Sequence, residues 1–145
     1  MEVFIMVQLI VGLKGTGKTK ALIDEVNKAA ESSHGAVVCI EYGRKLTYNI
    51  QYQARLVDAK DYDVNDASKL YGFVCGILAA NYDVSELFID SALKICQDDI
   101  ASFEEFILNT DKITRKNNIT CLITASIAPE KLPASIAGLV KEINH

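Results

Sequence analysis

The chain has 145 residues, half of them hydrophobic and 23% charged, a balance that fits one folded domain and excludes a disordered chain. Its 15 Lys and Arg against 19 Asp and Glu leave a net charge of -4, which argues against a nucleic-acid coat or a polybasic membrane binder. A domain of this size buries roughly two-thirds of its unfolded surface, so it needs no disulfides or metals to fold and leaves little room for a second catalytic module.

The leading stretch MEVFIMVQLIVG is apolar, yet it lacks a basic start and is too short to span a membrane. It runs straight into a glycine-rich loop, so it reads as a buried first strand over Val7–Val11. Met6 suffices as a start, which leaves Met1–Ile5 as a loosely held extension. A helix follows over Lys18–Ala30, where Ala21, Leu22, Val26, Ala29 and Ala30 recur at helical spacing. Ala36–Ile40 is a second strand, and Tyr42–Tyr52 fits either a short helix or an irregular loop. Arg55–Val57 makes a third strand and Asn65–Ala80 a second helix. Glu86–Ile89 is a fourth strand, Ala101–Lys116 a third helix and Ile119–Thr124 a fifth strand. After Pro133 a terminal helix is expected over Ala134–Ile143.

Most of these strands are continuous apolar runs without polar alternation, as strands covered on both faces should be. Strand and helix alternating through residues 1–145 predict an α/β fold, a three-layer α/β/α sandwich around a mainly parallel five-stranded sheet. Cys39, Cys75, Cys96 and Cys121 show no metal-ligand spacing. They read as free thiols of a protein kept in the reducing cytoplasm.

Gly12-Leu13-Lys14-Gly15-Thr16-Gly17-Lys18-Thr19 matches the pattern GxxxxGK[ST] at every fixed position, between a strand and a helix. Gly12, Gly15 and Gly17 allow a tight fold in which successive N–H groups face one anion, and the helix start adds partial positive charge. Lys18 would reach the β- and γ-phosphates of a nucleoside triphosphate, and the Thr19 hydroxyl would ligate magnesium. Lys14 and Thr16 lie within the loop and are candidates for further contacts. Magnesium needs a second ligand at the end of another buried strand, and Asp90 after Glu86-Leu87-Phe88-Ile89 supplies it. The fifth strand ends in Thr124, with Ser126 beyond it. The Thr124 hydroxyl suits a γ-phosphate or an attacking water, and equally suits a β-branched residue at the edge of the core.

On these residues the chain resembles the P-loop nucleoside triphosphate hydrolase superfamily, in the branch that includes RecA-type ATPases and thymidine kinases. Beyond that it resembles small uncharacterised bacterial ATP-binding proteins. The resemblance covers essentially the whole chain and implies a single nucleotide-binding domain. It implies that the polar-ended strand is inserted between the loop strand and the acidic strand, an order written as 5-1-4 through the centre. Carried over by position, it implies Lys18 for phosphates, Thr19 and Asp90 for magnesium, and Thr124 as sensor. Many hydrolases of that branch have a Glu directly after the acidic-strand Asp, whereas this chain continues Asp90-Ser91-Ala92. Glu41, at the end of the second strand, is then the candidate base, and it equally fits a solvated strand end.

The expected function is binding of ATP or another nucleoside triphosphate with Mg2+, with slow intrinsic hydrolysis. ATP is the default, since no NKxD-type guanine motif is present. Two other readings stand beside it. One is a nucleotide-dependent switch working through Tyr42–Asp66, and the other is a small-molecule kinase. Only Arg44, Arg55 and Arg115 are arginines, so a protein partner or a second copy is expected to supply an arginine in trans. Arg44 with Lys45 forms a candidate basic patch near the ligand edge. Neither nucleic acid nor membrane is expected as a partner.

Overall fold

Five short runs of the sequence become the five strands of one parallel sheet: β1 (Gln8–Gly12), β2 (Ala36–Glu41), β3 (Ala54–Asp58), β4 (Val84–Ile89) and β5 (Thr120–Ser126). The structure is a computed structural model and describes residues 7–143. The readings of Met6 as a start and of Met1–Ile5 as an extension lie outside the described residues. Helices α1 (Lys18–Ser32), α2 (Ala67–Ala80) and α4 (Ile100–Lys116) follow the predicted periodicities. The four-residue helix α3 (Ala92–Ile95) is added, with 3-10 turns at Ala59–Tyr62 and Pro129–Lys131, and the expected terminal helix is the four-residue α5 (Ala134–Ala137).

β1, β2, β4 and β5 bury residues on both faces, whereas the edge strand β3 exposes Arg55 and leaves Leu56 and Val57 half-buried. Ile10, Val37, Cys39, Phe88 and Leu122 pack with Leu22, Val26 and Ala29 of α1. Leu9, Val38, Ile40, Leu87, Ile89, Cys121 and Ile123 pack with Leu70 and Val74 of α2 and with Phe103, Phe106 and Ile107 of α4. Helices thus cover both faces of an α/β fold, and β1, β2, β4 and β5 carry apolar residues without alternation because their central residues are shielded from water on both faces.

The strand order is β1-β5-β4-β2-β3. The polar-ended β5 does lie between the loop strand β1 and the acidic strand β4. The central order is therefore 1-5-4, and the order 5-1-4 is corrected: β1 is an edge strand of the sheet. That edge position also explains why the terminal helix is shorter than the expected Ala134–Ile143. After Gly138 the chain extends alongside β1, with Leu9 N–H donating to Leu139 O at 2.9 Å and Lys141 N–H to Leu9 O at 2.7 Å. Pairing with the open edge satisfies β1 backbone groups that a longer helix would leave exposed.

Tyr42–Tyr52 resolves as irregular loop. Its Leu46 is buried in the α1-side core, and Asn27 of α1 clamps it, donating to Asn49 O at 2.7 Å and accepting from Gln51 N–H at 2.9 Å. Cys39, Cys96 and Cys121 are buried free thiols, and Cys75 is half-buried. Among the described residues no helix is long and apolar enough to cross a membrane.

At the start of β2, Gly35 touches its neighbour so closely that a Cβ there would sit 2.5 Å from Asp83 O and 2.8 Å from Ser85 Cβ. Backbone atoms cannot yield as a flexible side chain can. Gly35→Ala should therefore cost about 1–3 kcal/mol of stability, measured by denaturant unfolding. Unchanged stability would show that β2 and β4 separate here without cost.

Candidate functional site

The carboxyl ends of β1, β4 and β5 meet where the glycine-rich loop turns into α1, and a cavity of about 460 Å³ opens there. Its wall includes Lys14, Gly15, Gly17, Lys18 and Thr19 from the loop and helix start, and Ser91, Thr124 and Ser126 from the strand ends. The loop glycines differ in what they do. Gly15 and Gly17 adopt φ of 88° and 86°, in the left-handed region that side chains resist. At Gly12 a Cβ would lie 2.6 Å from the Thr16 hydroxyl, so the close turn needs a residue without one.

Gly17 is the residue before α1, and no side chain caps the helix there. The free N–H groups of the first turn and the helix dipole therefore act at the cavity wall. The Leu13 carbonyl accepts from both the Thr16 hydroxyl at 2.7 Å and Lys18 Nζ at 3.0 Å. Lys18 is thus held along its own loop. Burial lowers its pKa below the ordinary lysine value, and the nearby Asp90 charge opposes that shift.

Asp90 follows β4 and is 3% exposed. Its Oδ1 accepts from the Thr124 hydroxyl at 2.7 Å and from the Thr19 hydroxyl at 3.3 Å. Its Oδ2 accepts from the Ser91 hydroxyl at 3.2 Å. The Thr124 hydroxyl in turn accepts from Ser91 N–H at 2.8 Å. Ser91 takes a left-handed conformation, φ 62°, a strained geometry for a non-glycine residue that these contacts hold in place. A buried carboxylate beside the Thr19 hydroxyl is an all-oxygen donor set of the kind magnesium prefers, so these two residues fit the metal.

Lys14, Gly15, Gly17, Lys18, Thr19 and Thr124 therefore gather at one cavity, with Asp90 bonded to Thr19 and Thr124. Gly12 and Thr16 shape the loop behind it. Glu41 stands apart. It is 2% exposed, and its Oε1 accepts from Lys45 N–H at 2.6 Å and Leu46 N–H at 3.0 Å, which pins the loop after β2. It lines a neighbouring groove with Asp58, Asp61 and Arg44, not the loop cavity. Thr124, foreseen as a γ-phosphate sensor, has its proton on Asp90 and one lone pair on Ser91 N–H.

The basic patch expected of Arg44 and Lys45 divides. Arg44 turns to Asp61 at 2.8 Å, and Lys45 lines the loop cavity. Lys20, Lys94 and Asp98 also line it, and Lys94 belongs to no motif or periodic pattern in the sequence. The one available signal was its place four residues after Asp90, on a segment too short to read as a helix. Tyr42 packs against the core and carries Lys60 and Lys94 over its ring, at 5.7 and 5.9 Å from the centroid. No protein-family model matches the chain, and no curated protein matches it.

Proposed function

We infer that this protein is a P-loop nucleotide-binding domain that binds ATP, or another nucleoside triphosphate, with magnesium and hydrolyses it slowly. One observation carries the reading. Thr19 and Asp90, 71 residues apart in sequence, come within 3.3 Å beside Lys18 at the mouth of the glycine-rich loop. That is the juxtaposition a magnesium-bound triphosphate needs, and a fortuitous glycine turn gives no reason for it.

The loop N–H groups and α1 bind the phosphates, and the Lys18 ammonium leaves the Leu13 carbonyl for a phosphate oxygen. Magnesium, held by Thr19 and Asp90, would neutralise phosphate charge when bound. Thr124 and Ser91 hold the Asp90 carboxylate in its orientation. The chain has no carboxylate directly after Asp90, and Glu41 is committed to the backbone of the next loop. Water activation is therefore weak, and turnover is expected to be slow. Phosphate release from ATP and magnesium, followed over hours, should show well under about one turnover per second, below typical kinase rates. Turnover only with an added acceptor would favour the kinase alternative instead.

A further inference from the structure

The five lysines on the cavity wall are more than a loop of this kind requires. Lys20 pairs with Asp24 at 3.8 Å, Lys18 faces Asp90, and Asp98 on the wall offsets one further charge. The surplus left is close to that of the dianion formed by a triphosphate with magnesium.

Two of them stand apart from the loop. Lys45 and Lys94 are exposed and, among the described residues, have no carboxylate within ion-pair distance. Their roots are nevertheless fixed. Lys45 N–H is held by the buried Glu41 carboxylate at 2.6 Å. Lys94 sits on α3, whose Ala92, Leu93 and Ile95 are buried, and its ammonium lies over the Tyr42 ring at 5.9 Å. Both side chains line the cavity beside the loop, where a cation can meet the charge that develops on a phosphoryl group. None of the three arginines lines this cavity.

Resting on the nucleotide reading above, we propose that Lys45 and Lys94 stabilise the γ-phosphoryl group in the transition state, supplying from within the chain the charge otherwise expected from a partner's arginine. In the step they assist, the water oxygen forms a bond to the γ-phosphorus as the bond to the β–γ bridging oxygen breaks. The leaving electron pair stays on the diphosphate, and the water proton passes to the released phosphate and solvent. Glu41 is then a positioning residue for Lys45.

The test is titration of the full chain with MgADP, with and without aluminium fluoride, which mimics the transferred group. The wild type should bind MgADP at least about tenfold more tightly with the fluoride, and Lys45→Ala and Lys94→Ala should each lose most of that gain. Both variants should keep MgADP affinity within about threefold, and Lys45→Arg, which retains a cationic head, should keep most of the gain. A gain that survives both alanine variants, that is absent in the wild type, or that appears only as protein concentration rises would overturn the proposal. Failure of the wild type to bind MgADP at all would instead overturn the nucleotide reading beneath it.

Discussion

Lys18→Ala should weaken ATP binding by about 100-fold, the equivalent of about 2.7 kcal/mol and typical of a strong charge-assisted contact. Lys18 is buried beside Asp90 and bonded to the Leu13 carbonyl at 3.0 Å, so an unfolding curve accompanies the titration to show that the variant is folded. Asp90→Asn should behave differently. It keeps the shape and acceptor oxygen that Thr124 and Thr19 use, at 2.7 and 3.3 Å, but removes the charge that attracts the metal. Nucleotide binding without magnesium should persist, while the tightening by magnesium should largely vanish. Calorimetric titration of both variants separates the two roles. Equal losses with and without magnesium in Asp90→Asn would contradict the assignment of Asp90 to the metal.

Stability should fall steeply above pH 9, because three buried thiols resist ionisation in the fold. Burial pushes Cys39 up from the ordinary 9.0, aided by the charges of Asp90 and Glu41. It pushes Cys96 up to about 12, aided by Asp66 and Asp99, and raises Cys121 beside Asp111. Below pH 9 these thiols are protonated in both states and contribute no pH dependence. Above it the unfolded chain loses the protons while the native chain keeps them, so stability declines as pH rises, up to the native pKa. Each thiol contributes about 1.4 kcal/mol per pH unit, so three together would give about 4 kcal/mol per unit. Denaturant unfolding at pH 8 and 10 measures the slope, and Cys96→Ala should reduce it by about a third. An unchanged slope in that variant would contradict the account. As an independent readout, native alkylation should label half-buried Cys75 first and the three buried thiols only on unfolding.

The strands and long helices were legible because burial on both faces leaves continuous apolar runs, and Leu22, Val26 and Ala29 mark one face of α1. Asp90 was legible for the same reason, as a carboxylate closing a run of three large apolar residues. The terminal helix was overestimated because Ile136, Leu139, Val140 and Ile143 fit helical spacing, while the open edge of β1 made an extended tail more favourable. No local pattern records which edge of the sheet is open. The same holds for the central strand order, which depends on how crossovers route, not on composition. At the site, the loop motif names Lys18 and Thr19 outright because it is contiguous. Lys45 was legible as part of a basic patch after the second strand, whereas Lys94 reaches the cavity only through the folding of a separate strand end, and an exposed lysine carries no periodicity to betray it. Glu41 looked like a free acid at a strand end, and only the backbone geometry of residues 45 and 46 shows its carboxylate committed to the turn.

The central claim is that this cavity holds a magnesium-bound nucleoside triphosphate. Titration of the wild-type chain with ATP, with and without magnesium, tests it most directly. Saturable binding of one nucleotide per chain, at least about tenfold tighter with magnesium, is the predicted result. No binding, or binding indifferent to magnesium, would contradict it.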